Sequence, residues 1–233
     1  MIYPIVAAVT PVVVLLFYIY RKDEFQKEPV KELLKAFALG IASTVASLLI
    51  SIPSEIIGLY SGDNYTVWGV ISSSFFGAAI PEEIAKFFMF WLLVRKNRHF
   101  DEHMDGIVYA SVVALGFACL ENILYVVGDE DWVSVGVMRA LFSVPGHMFF
   151  GILMGYYYSL VRFDPFSTVK DKVLVLGAPI LAHGIFNSIL SFDMLLPQGL
   201  GVVIMIVFVM FCNSLRKQAS RRIRAHLMQD GLI

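Results

Sequence analysis

Adjacent glutamates at 82 and 83, a lysine at 86, histidines at 147 and 183 and an asparagine at 187 are residue types that together can hydrolyse a bond. A glutamate can take a proton from water and a histidine can orient that water. A second histidine with an asparagine can then donate hydrogen bonds to an oxyanion. Their setting singles them out. Glu82, Glu83 and Lys86 interrupt an apolar run from Val67 to Val94 that is long enough to cross a bilayer. Inside such a segment an ionisable group is costly unless it is paired or faces water.

Spacing sharpens this reading. Glu82 and Lys86 are four apart and share one helical face, and Glu83 lies three from Lys86. One lysine can neutralise one glutamate, which leaves the other free to act as a general base or acid. Pro81, just before them, removes a helical hydrogen bond and can admit water. His147 follows Pro145-Gly146, and His183 and Asn187 share a face of their segment. Glu121-Asn122 and Arg139 lie at similar depths from one end of their segments, which reads either as a Glu121–Arg139 pair locking two helices and leaving Asn122 free or as a direct part in the site. No Gly-x-Ser-x-Gly or His-Glu-x-x-His motif occurs. A zinc ion held by His147 and His183 with Glu82 or Glu83 stands as an alternative to metal-free chemistry without a cofactor. Cys119 and Cys212 lie in apolar runs without metal or disulfide spacing.

The elements that must position these residues are membrane helices. With 58% hydrophobic residues in 233, the chain is far more apolar than a soluble domain. Seven apolar segments are expected, at about 2–20, 36–60, 67–94, 105–127, 132–161, 173–193 and 199–214. Apart from Lys86 and Arg139, every basic residue falls in 21–35, 95–104, 162–172 or the tail, while the loop at 128–131 is acidic. The positive-inside rule then puts the N-terminus outside and the C-terminus in the cytoplasm. The expected fold is an all-α polytopic bundle forming one domain over 1–233, with its site core at about 67–190 and a basic tail at 215–233. The first segment reads as a retained span, not a signal peptide. The stretch 21–35 reads as a possible interfacial helix. The tail suits anionic lipid and not nucleic acid, having no aromatic interleaving. Gly151 and Gly155 form a small-residue packing motif.

Pro-Glu-Glu-x-x-Lys at 81–86, Glu-Asn at 121–122, His147 with Phe150, and His-Gly-x-Phe-Asn at 183–187 together resemble the PrsW family of bacterial intramembrane proteases. That family is a branch of the group that includes the CAAX prenyl endopeptidases and bacteriocin-processing proteins. The resemblance implies a site-1 protease of the bacterial cytoplasmic membrane. It would cut a single-pass anti-sigma factor on its extracytoplasmic side, so that a sigma factor is released for a stress response. It also implies that Glu82 and Glu83 are catalytic, that His147 activates water and that His183 with Asn187 binds the oxyanion. Lys86, Glu121, Asn122 and Arg139 would support them. Lys86 stands where the CAAX branch carries an arginine one residue later. Competing readings are a CAAX-like or bacteriocin-processing peptidase, a proton-coupled transporter and a non-catalytic regulatory membrane protein.

Overall fold

A computed structural model describes residues 2–23, 26–60, 62, 65–192, 201–229 and 231. Among them the chain is all-α, with no strand and no cis peptide bond. In order come α1 (Ile2–Lys22) and α2 (Val30–Ile56), then α3 (Val67–Ser72), which passes through a π-helical stretch (Ser73–Ala79) into α4 (Ile80–Val94). Next are α5 (His103–Gly128) and α6 (Trp132–Met138), which passes through a second π stretch (Arg139–Ser143) into α7 (Val144–Phe163). α8 (Val169–Ser191) and α9 (Gly201–Gln229) complete the bundle.

Five helices are long and apolar enough to cross a membrane: α1, α2, α5, the continuous rod Trp132–Phe163, and α8. The rod from Val67 to Val94 falls outside this set, its middle carrying Glu82, Glu83 and Lys86. The expected loop at Met194–Gln198 lies outside the described residues. The stretch 21–35 is not a separate interfacial helix: α1 runs to Lys22 and α2 starts at Val30. The link holds itself together, Asp23 accepting the backbone N–H of Glu28 at 2.9 Å. α9 continues as one helix through the basic segment, and Ile223 and His226 are buried there. Arg222 donates to the Tyr157 hydroxyl at 3.0 Å and His226 stacks on Tyr156, so much of the tail packs on α7.

Helix starts are written locally. Thr66 caps α3 by accepting from the Gly69 N–H, and Glu102 with Asp105 and Thr168 with Asp171 form reciprocal capping boxes on α5 and α8. α5 is the axis of the bundle, buried along most of its length. Its neighbours approach through glycines. A Cβ on Gly40 would lie 2.1 Å from the Val113 carbonyl oxygen, and one on Gly155 would lie 2.0 Å from that of Gly106. Gly151 meets Ala110 in the same way, so the motif at 151 and 155 serves packing of α7 on α5. Gly155→Val would therefore separate the two helices, and we expect a loss of about 2 kcal/mol, read as a lower melting temperature in detergent with an inactive fraction.

Glu28 is buried and accepts from the Tyr109 hydroxyl, and burial pushes its carboxyl from 4.5 up to about 7. The folded state therefore holds this proton more tightly than the unfolded chain does. Its stabilising effect is complete below pH 4.5 and is lost as the pH rises towards 7. Thermal melts at stepped pH are expected to show that slope in the wild type and a flatter one in Glu28→Gln.

Candidate active site

Both π stretches end one turn before a functional side chain. Pro81 lacks the N–H that would continue the ladder, and the wide turn before it carries the chain into α4 without a break. Pro145 stands in the same relation to the second π stretch, two residues before His147. The breaks expected at the prolines thus take the form of π turns. They set the rotation at which Glu82, Glu83 and His147 enter the bundle.

A cavity of about 360 Å³ opens where α4, α5, α7 and α8 converge, and Glu82, Glu121, Arg139, His147, His183 and Asn187 line it. Glu83 and Lys86 stand behind it, fully buried. Lys86 Nζ donates to Glu83 Oε1 at 2.8 Å and lies 3.5 Å from Glu82 Oε2. It also lies 3.1 Å from His147 Nδ1 and 4.0 Å above the centre of the Phe117 ring. Glu83 Oε1 receives a second contact from His183 Nδ1 at 2.8 Å. His147 Nε2 meets Glu121 Oε2 at 3.0 Å, and the same carboxylate oxygen accepts from Arg139.

The expected Glu121–Arg139 pair is present, but Asn122 is not free. Its Oδ1 accepts from Arg139 Nε at 2.7 Å and its Nδ2 donates to the Ala8 carbonyl at 2.7 Å, tying α5 to both α1 and the second π stretch. Sequence reasoning had no means of seeing this, because the Ala8 carbonyl is a backbone group on another helix. Phe117 beneath Lys86 was also missed, although its position four before Glu121 puts it on the same face. Ser73 was not flagged either. It lines the cavity, and among the described residues its buried hydroxyl has no hydrogen-bond partner.

The partners assign the protons. A lysine ammonium only donates, so His147 Nδ1 accepts from Lys86 and His147 Nε2–H donates to Glu121. Glu83, which already accepts from Lys86, also accepts the Nδ1–H of His183. With that proton on Nδ1, the neutral ring carries its lone pair on Nε2, which lies 3.8 Å from Glu82 Oε2. Three carboxylates, Glu82, Glu83 and Glu121, face two permanent cations, Lys86 and Arg139. Glu83 and Glu121 take the close contacts. Glu121 and Glu82 both line the cavity, but Glu121 is held by Arg139 and His147, whereas Glu82, 14% exposed and farther from Lys86, is the cavity carboxylate without a close cation.

One oxygen or nitrogen from each of Glu82, His147 and His183 lies within 4.8 Å of the others, which makes these three the candidate ligands for a metal. His183 suits that role, because Nδ1–H is held by a carboxylate and Nε2 is open. His147 does not. Ligation through Nε2 would leave Nδ1 protonated against the ammonium of Lys86, two donors facing each other. As arranged, the set does not fit a two-histidine, one-carboxylate metal.

Comparison with known proteins gives a family match over residues 28–212, to the family described as PrsW family intramembrane metalloprotease. Protease PrsW of Bacillus subtilis is 37% identical over 186 residues, covering 79% of this chain and 81% of the relative. Protease PrsW of Oceanobacillus iheyensis is 36% identical over 185 residues, with the same shares of 79% and 81%. Protease PrsW of Clostridioides difficile is 31% identical over 206 residues, covering 87% and 83%. No solved structure matches the chain significantly.

Proposed function

Because this chain belongs to the PrsW family of intramembrane proteases, and so is a multi-pass bacterial membrane endopeptidase, we propose that it hydrolyses a peptide bond with water activated between Glu82 and His183. The observation that carries this is the pair of acceptors facing one cavity, Glu82 Oε2 and His183 Nε2, 3.8 Å apart. A water between them donates one O–H hydrogen bond to each and points a lone pair at the scissile carbonyl. Glu82 takes one proton as the carbon–oxygen bond forms and gives it to the amine nitrogen as the carbon–nitrogen bond breaks. Glu83 holds His183 by Nδ1–H, as the buried carboxylate of a triad holds its histidine. The side-chain amide of Asn187 and the charge of Arg139, both at the cavity wall, stabilise the oxyanion.

This divides the histidines otherwise than the resemblance implies. A neutral His183 whose Nδ1–H is given to Glu83 cannot donate to an oxyanion from Nε2. His147, engaged at both nitrogens, positions Glu121 and Lys86. The family's description as metalloproteases suggests a metal at Glu82, His147 and His183. Their hydrogen bonds do not fit one, and no step here runs through it.

The substrate we propose is a single-pass membrane protein of the anti-sigma class, cut on its extracytoplasmic side to start a stress response. We propose seven spans, with the N-terminus outside and the C-terminus in the cytoplasm. Glu121 stands about 10 Å from the acidic end of α5 at Gly128, at 1.5 Å per residue. The basic loops lie at the other end of the bundle, which supports a cavity opening outward. The test is cleavage of a tagged single-pass anti-sigma factor by the purified protein in detergent, with His183→Ala and His147→Ala beside the wild type and a strong zinc chelator in parallel. Cleavage that persists in chelator and is lost in His183→Ala supports the mechanism. Loss in chelator restored by zinc overturns it in favour of a metal site, and absence of wild-type cleavage of any single-pass substrate overturns the substrate class.

A further inference from the structure

A second built concavity lies away from the cavity, between the first turns of α2 and the last turns of α4. It encloses about 770 Å³ and is lined by Glu32, Lys35, Ala38 and Leu39 on one side and by Leu92, Leu93 and the segment 96–99 on the other. On α2, Lys35 lies one turn from Leu39 on the same face. On the other side Lys96 follows Leu92 and Leu93 in the turn just past the end of α4 at Val94, and Arg98 and His99 continue the lining.

The cationic lining is held in place. Glu32 fixes the Lys35 ammonium at 2.7 Å. The loop after α4 is tied down by Asn97, whose Nδ2 donates to the Tyr109 hydroxyl at 2.9 Å and whose Oδ1 accepts the His99 N–H at 3.0 Å. Tyr109 in turn donates to Glu28. Lys35, Lys96 and Arg98 against Glu32 leave an excess of positive charge over an apolar wall. A soluble anion has no use for the leucines, and a neutral lipid has none for the cations. The two halves together match a molecule that carries a phosphodiester and an alkyl chain.

We propose that this groove binds one anionic phospholipid, its phosphodiester held by Lys35, Lys96 and Arg98 and an acyl chain laid along Leu39, Leu92 and Leu93. The lipid would join α2 to α4, the helix that carries Glu82 and Glu83, at the end opposite the cavity. None of these residues belongs to the catalytic cluster, so the proposal stands whatever the fate of the mechanism above.

The test uses the full chain in detergent with Trp68 and Trp132 replaced by phenylalanine. Trp91, the residue next to Leu92 on α4, is then the remaining indole. The protein is titrated with dibrominated phosphatidylglycerol, with dibrominated phosphatidylcholine, and with the phosphatidylglycerol in the presence of glycerol phosphate. Saturable quenching by phosphatidylglycerol is expected, at least tenfold tighter than by phosphatidylcholine, and weakened about fivefold in each of Lys35→Gln, Lys96→Gln and Arg98→Gln. Equal quenching by both lipids, or an unchanged affinity in all three variants, overturns the proposal. Full displacement by millimolar glycerol phosphate also overturns it, in favour of a site for free phosphate.

Discussion

Glu82→Gln is expected to lower cleavage about 10²- to 10⁴-fold, the usual worth of a positioned general base, while leaving abundance and melting temperature close to wild type. The asymmetry between the two glutamates makes this specific. Glu82 is 14% exposed at the cavity wall and contacts Lys86 only at 3.5 Å, so an amide there costs the fold little. Glu83, with no exposure, is the hub that accepts from both Lys86 and His183. Glu83→Gln should therefore lose stability as well as activity. Initial cleavage rates set beside melting curves separate the two. A Glu82→Gln protein that cleaves at the wild-type rate would remove Glu82 from the chemistry.

The second large effect concerns Lys86. It is 1% exposed, compensates the charges of Glu83 and Glu82 and donates to His147 Nδ1. Lys86→Met leaves the buried Glu83 without its ion partner, a change that costs about 3–5 kcal/mol when one member of a buried pair is removed. It also frees His147 to change tautomer. Pairing Lys86→Met with Glu83→Gln removes both charges, so the double variant is expected to recover most of the lost abundance. It should stay inactive, since a glutamine cannot hold His183 as a carboxylate does. Membrane-fraction abundance and melting temperature, read with cleavage, decide this. A double variant no more stable than Lys86→Met alone would show that the lysine stabilises the bundle by packing on Phe117.

Much of this site was legible in the chain because charges inside apolar segments are few and their spacing is helical. The shared face of Glu82 and Lys86, the Glu121–Arg139 pair and the convergence of His147 with His183 all follow from that. Which glutamate meets the cavity did not follow. Adjacent residues differ by about 100° around a helix, and only neighbours on α5, α7 and α8 decide which direction is wet. Asn122 was misread for a related reason: its partners are a side chain on the second π stretch and a backbone carbonyl on α1. The π stretches themselves leave no periodic mark, because Ser73–Ala79 and Arg139–Ser143 differ from an ordinary helix in ladder register and not in residue type.

That register has a bearing on how such a site can be lost or gained in evolution. A π turn is an α turn that has accommodated one extra residue. Were the same residues 73–79 to close as an ordinary helix, the extra residue would no longer be absorbed and α4 would turn by about 100° relative to α3. Every side chain named here would still be present, yet Glu82 and Glu83 would point elsewhere. A change of ladder register, silent in any inventory of residues, can therefore silence the site as fully as the loss of a carboxylate.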